Sequence, residues 1–138
     1  MRLVALEPQF LQHRIETAGK HHGRPRKDGS TQWGGFPTSV FHPVAKLRDA
    51  HGICFLCPLC FHRNGGAKGT HSVRVYFTGS PVPKGIGTNA DGKTVRWAVS
   101  GKRYADLTLS PSIQIQGETT CQWHGHVQNG QIVGGIPA

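Results

Sequence analysis

The chain has 138 residues, and its 16 Lys and Arg against 7 Asp and Glu give a formal charge of +9. That excess calls for an acidic partner, either nucleic acid or an anionic protein surface. With 19 Gly, 9 Pro and 36% hydrophobic residues, the composition favours one turn-rich domain of short strands over a helical bundle. No apolar run reaches the roughly eighteen residues of a membrane-spanning helix, so no membrane partner is expected.

In chain order, Leu3-Val4-Ala5-Leu6 and Phe10-Leu11 bracket Pro8 and predict an opening extended segment, with Ile15 continuing it. Residues 17–39 hold five glycines and two prolines with almost no aliphatic side chains, which predicts a long, basic, flexible loop. Pro43–Ala50 is the one helical candidate, with Pro43 early, apolar residues at 44 and 47, and Gly52 past the end. Ile53–Leu56, Val73–Phe77, Thr94–Val99, Leu107–Leu109 and Ser112–Ile115 read as strands. Residues 78–93 form a second loop. Leu3, Ile53, Phe55, Val75, Phe77, Trp97, Val99, Leu109, Ile113 and Val127 are the expected core.

Two cysteine boxes punctuate these strands, Cys57-Pro58-Leu59-Cys60 and Cys121-Gln122-Trp123-His124. A pair of soft ligands two residues apart can be aimed by one tight turn at a single ion, and Cys57, Cys60, Cys121 and His124 together make the Cys3His donor set that tetrahedral Zn²⁺ accepts. Pro58 fixes φ after the first ligand, and Asn64-Gly65-Gly66 releases the chain with positive φ. After the second box, Asn129-Gly130 predicts a two-residue hairpin turn. Arg63 and Lys68 are placed to balance the negative charge of three thiolates. Such a site closes a loop of about sixty residues, and its binding free energy, of order 10 kcal/mol or more, becomes folding free energy. Cys54 lies within an apolar strand and is expected to be strand interior.

Cys60-Phe61-His62 with Cys121-Gln122-Trp123-His124 also resembles the paired boxes of a Rieske iron–sulfur centre, although Rieske boxes lie much closer together in sequence. That resemblance implies a redox protein as an alternative.

Gly23-Arg24-Pro25-Arg26-Lys27 resembles the core of an AT-hook, an extended peptide that lays arginines into the minor groove of A·T-rich DNA. His22 replaces the arginine that the motif carries before its glycine. Arg24, Arg26 and Lys27 are therefore the candidate nucleic-acid contacts. Trp97 and Trp123 are candidates for an aromatic pocket that takes a cation or a flat ring. For catalysis, His71, His126 and Ser110 or Ser112 around Pro111 are the available groups. No Gly-x-Ser-x-Gly elbow, paired carboxylates or His-Glu-x-x-His accompanies them, so binding rather than enzymatic activity is expected.

Phe55–Cys60, Gly65-Gly66, Gly69-Thr70-His71, Trp97, Asp106–Ile113 and Cys121–Val127 resemble a family of small zinc-binding proteins encoded by tailed bacteriophages and prophages. The resemblance covers residues 1–15 and about 45–133. It implies synthesis in the bacterial host cytoplasm during infection and a metal-bound Cys3His group. The expectation is thus a mainly β, single domain over residues 1–138, of the two-zinc-turn kind, with two sheets pinned by one zinc and one short helix. It would be a phage accessory protein engaging nucleic acid or another acidic partner, or alternatively a virion component contacting its neighbours.

Overall fold

The computed structural model describes residues 1–17, 23–33, 37–115 and 121–137. Two antiparallel four-stranded sheets carry the fold. The first has the order β4-β1-β5-β6, with β1 at Gln9–Thr17, β4 at Pro37–Val44, β5 at Gly52–Leu56 and β6 at Ser72–Tyr76. The second has the order β10-β9-β8-β7, with β7 at Ala98–Ser100, β8 at Thr108–Gln114, β9 at His124–Gln128 and β10 at Gln131–Val133. A minor two-stranded sheet pairs β2, Gly23–Pro25, with β3, Thr31–Trp33. The mainly β expectation holds, and the described residues contain one α-helix, α1 at Pro58–Asn64.

One apolar core draws on both sheets. Phe10, Ile53, Phe55 and Val75 from the first and Leu109, Ile113, Trp123 and Val127 from the second or its approach are all buried in one cluster. Phe55 meets Trp123 edge to face at 6.2 Å between ring centroids, which locks the layers in register. Burying side chains of this size contributes about 1.5–3 kcal/mol each. Eight of the ten expected core residues are buried, while Trp97 and Val99 are half-buried against the cluster.

Local conformation departs from expectation in four places. The opening segment is a 3-10 turn at Leu3–Leu6 closed by Glu7 at φ 51°, so the strand starts only after Pro8. The helix expected over 43–50 does not form. Pro43 and Val44 instead end β4, opposite Leu11 and Phe10, and only a 3-10 turn at Leu47–Asp49 remains. Helix α1 starts inside the first cysteine box because Pro58 is pre-set for the first helical position and Gly65 closes it at φ 67°. The strand expected over 94–99 is interrupted: Ala98–Ser100 forms β7, Thr94 and Trp97 make isolated bridges to Thr88 and Phe77, and between them the Arg96 guanidinium bonds the carbonyls of Val82, Pro83, Ile86 and Val95.

The basic segment 17–39 is largely paired where it is described. Thr17 and Thr38 belong to the β1–β4 ladder, and β2 and β3 form a hairpin whose turn is fastened by Ser30 donating to the Asp28 carboxylate. The Asn129-Gly130 turn is as read, with φ of 47° and 72° joining β9 to β10 at the Gln128–Gln131 pair.

Candidate functional site

The end of β5 builds the first constellation. Leu56 pairs with Ser72, and the ladder continues one step, with the Cys57 N–H donating to the His71 carbonyl at 2.8 Å. His71 therefore stands across from Cys57. Helix α1 starts at Pro58 and returns Cys60 to the same point, and Cys121 arrives from the other sheet, three residues ahead of β9. The ligand atoms of Cys57, Cys60, His71 and Cys121 lie within 4.8 Å of one another.

The chemistry of this donor set fits a metal ion. Tetrahedral thiolates about 2.3 Å from zinc lie about 3.8 Å apart, a spacing of the size found here. The Cys57 and Cys121 sulfurs are 3.3 Å apart with no disulfide between them. His71 Nε2 is buried, and a cation in the cluster would take it as a ligand. Without a cation the thiols compete for charge. Burial, followed by the hydrogen bond and charge shared with Cys121, pushes Cys57 up to about 12. Burial, then the hydrogen bond and charge of Cys121, also raise Cys60, with the Cys57 hydrogen bond and then Arg63 opposing them. At Cys121 burial acts upward, but interactions with His71, Cys60 and Cys57 outweigh it and bring the thiol down to about 7. Bound metal favours all three thiolates together. Four protein ligands would close the coordination sphere of an ion held here, as they do in structural sites. The cluster ties the β5–α1–β6 corner of one sheet to the strand entering the other.

His124 is not in this cluster, which corrects the expected ligand set. Alternation along the chain sends Trp123 into the core and His124 to the exposed face, and His71 takes the fourth place. His62 is exposed on α1, so the Rieske set of two cysteines and two histidines is not assembled. Cys54 is half-buried on β5, opposite Arg74, with burial raising its thiol.

His124 belongs to a second constellation. Gln114 on β8 pairs with His124 on β9, and Ser112 lies two residues before Gln114 on the same face. The β8–β9 register shifts between Leu109 and Ile113, and such irregularities re-aim side chains. Ser112 Oγ lies 3.0 Å from His124 Nε2. Trp97 fixes the neighbouring backbone by donating its indole N–H to the Ser112 carbonyl at 3.2 Å. Ser112 opens onto a depression of about 320 Å³ lined also by Arg74, Tyr76, Trp97 and Gln114. A hydroxyl bonded to an imidazole at the edge of a cleft is the minimal arrangement for nucleophilic catalysis.

The other candidates are dispersed. Arg26 and Lys27 are exposed beyond β2, and the Arg24 side chain lies outside the described residues. Gly23–Pro25 is paired with β3 rather than presented as a lone extended peptide, because the Asp28–Ser30 turn folds it back. The two tryptophans do not share a pocket. Trp97 lines the depression beside Ser112, whereas Trp123 is fully buried with its indole N–H on the Gly134 carbonyl. No helix among the described residues is long and apolar enough to cross a membrane.

A β protein with a closed Cys3His cluster and a surface serine–histidine pair is thus the class that fold and site define. A family described as bacterial ubiquitination-like system serine protease (BubE) matches residues 79–134. The matched stretch is less than half of the chain; it contains Ser112, Cys121 and His124 but not Cys57, Cys60 or His71. No curated protein and no solved structure matches the chain. The match to a family of serine proteases overturns the expectation that the protein is not an enzyme. That family is bacterial, and nothing in the match bears on phage origin, a virion or DNA.

Proposed function

We propose that the protein is a zinc-stabilised serine hydrolase of the peptidase type, with Ser112 as nucleophile and His124 as its general base. The observation that carries this reading is the 3.0 Å approach of Ser112 Oγ to His124 Nε2 at the cleft edge, within the stretch that resembles a serine protease family. Ser112 Oγ attacks the scissile carbonyl carbon while its proton passes to His124 Nε2. His124 then gives that proton to the leaving amine nitrogen as the C–N bond breaks, leaving an ester on Ser112. Water attacks the ester carbonyl, His124 takes the water proton, and returning it to Oγ releases the acid and restores the pair. Among the described residues no carboxylate bonds to His124, so the pair acts as a dyad.

Zinc is the ion proposed for Cys57, Cys60, His71 and Cys121, because three thiolates and one imidazole in a closed set suit it best. It takes no part in the steps above. Its role is to hold the segment from Cys121 to His124 against the first sheet.

A fluorophosphonate probe tests the assignment. It should label Ser112 in the native protein and fail to label Ser112→Ala, and His124→Gln should slow labelling by about 10²-fold or more. Labelling that persists in Ser112→Ala overturns it. The exposed Arg26 and Lys27 beside +9 net charge support a second, compatible proposal, contact of the β2–β3 hairpin with an acidic partner such as nucleic acid. Affinity that falls with salt and is weakened by alanine at Arg24, Arg26 and Lys27 is the expected result; unchanged affinity in that triple variant rejects it.

A further inference from the structure

The cleft that Ser112 opens onto has one permanent charge, and it is positive. The depression of about 320 Å³ beside Ser112 and an adjoining one of about 200 Å³ share Arg74, Trp97 and Gln114 as lining residues. Among the described residues, Arg74 is the sole Lys, Arg, Asp or Glu lining either of them. It projects from β6, the edge strand of the first sheet, and its guanidinium carbon lies 5.6 Å from the centre of the Phe41 ring. That stacking steadies the guanidinium through its face.

Arg96 stacks over Tyr76 in the same way, but its nitrogens are taken up by four backbone carbonyls of the loop and strand around it. Arg96 is structural. Arg74 is exposed, and among the described residues the ion pair present is His42 with Glu16, so no carboxylate there neutralises Arg74. A planar guanidinium held on an aromatic ring matches a carboxylate through two parallel N–H···O bonds, and an aromatic-walled cleft strengthens such a pair relative to open water. The net charge of +9 steers anionic segments toward the protein before they bind.

We propose that Arg74 is the specificity-determining residue of the cleft, and that the preferred substrate is a peptide with an aspartate or glutamate side chain on the residue whose carbonyl Ser112 attacks, or on the residue before it. The inference rests on the serine hydrolase reading above. Arg74 binds the substrate carboxylate and takes no part in the proton transfers. Trp97 and Tyr76 supply the apolar walls along which the stem of that side chain lies.

Paired peptidyl diphenyl phosphonates, identical except for Glu or Gln at either of those two residues, test it through the rate of Ser112 modification. Native protein should react roughly two- to fivefold faster with the Glu member, the gain expected of a carboxylate paired with an exposed guanidinium. In Arg74→Gln the ratio should fall to near one, in Arg74→Lys a preference for Glu should survive, and in Arg74→Glu a Lys-bearing probe should become the faster one. Equal rates for Glu and Gln in the native protein, or a ratio unchanged in Arg74→Gln, overturn the inference and leave the serine assignment standing. Absence of modification by every phosphonate, with Ser112→Ala as the blank, overturns both.

Discussion

Replacing Gly130 with alanine probes whether the hairpin that presents His124 is held as described. Gly130 sits at φ 72°, a left-handed conformation that costs an alanine about 1–2 kcal/mol. A Cβ built there would run into the Ala105 carbonyl oxygen and lie 2.5 Å from its carbon, so backbone, not a flexible side-chain tip, must move. The movement strains two backbone bonds, Gly130 N–H to the Leu107 carbonyl and Leu3 N–H to the Gly130 carbonyl, each 2.8 Å long. At about 1 kcal/mol net for each bond, the total loss is about 3–4 kcal/mol. A domain of this length has about 7–20 kcal/mol to lose. In urea at saturating zinc the midpoint should fall by roughly 1–4 M. Gly85, whose Cβ would meet nothing within 4 Å, is the control, and Gly85→Ala should change stability by no more than about 0.5 kcal/mol. A Gly130→Ala variant that unfolds with Gly85→Ala would refute the packing of this turn against residues 104–107.

Two further outcomes follow from the same contacts. Cys57→Ser and Cys121→Ser should each lose bound zinc and most cooperative unfolding, because the cluster joins the two sheets, whereas Cys54→Ser should keep its zinc; elemental analysis with thermal melts reads both. His51 has its pKa lowered from 6.5, first by burial and then by the charge of His13, so the folded state prefers the neutral ring. Its contribution is complete above pH 6.5 and is lost as pH falls through the folded-state value. Stability of the native protein should therefore decline below that point more steeply than that of His51→Gln, and identical pH profiles would reject the assignment.

The cysteine boxes were legible because ligand spacing is a local property, and so was the Asn129-Gly130 turn, whose positive φ values demand those residue types. His71 was not legible as a ligand. Its position comes from the β5–β6 register, and α1 together with the glycine-rich segment after it hides that register from sequence spacing. The second box misled for a related reason. Cys121 and His124 are correctly spaced for one turn, yet β9 begins at His124, and strand alternation turns its ring away from the sulfur toward Ser112. Ser112 was visible only as one of several candidates around Pro111, because no local motif marks a serine placed by a register shift between two strands. The paired hairpin within residues 17–39 is not legible in the sequence because β2 and β3 are three residues each, too short for a period-two pattern. Pro43 looked like a helix start and instead lies in β4, where pairing with β1 overrides local preference.

The central claim is that two histidines divide two roles, His71 holding the metal and His124 serving Ser112. Zinc content and fluorophosphonate labelling measured side by side on the native protein, His71→Ala and His124→Ala test it most directly. His124→Ala should retain one zinc per chain and lose labelling, while His71→Ala should lose its zinc. Loss of zinc from His124→Ala with retention in His71→Ala would contradict it.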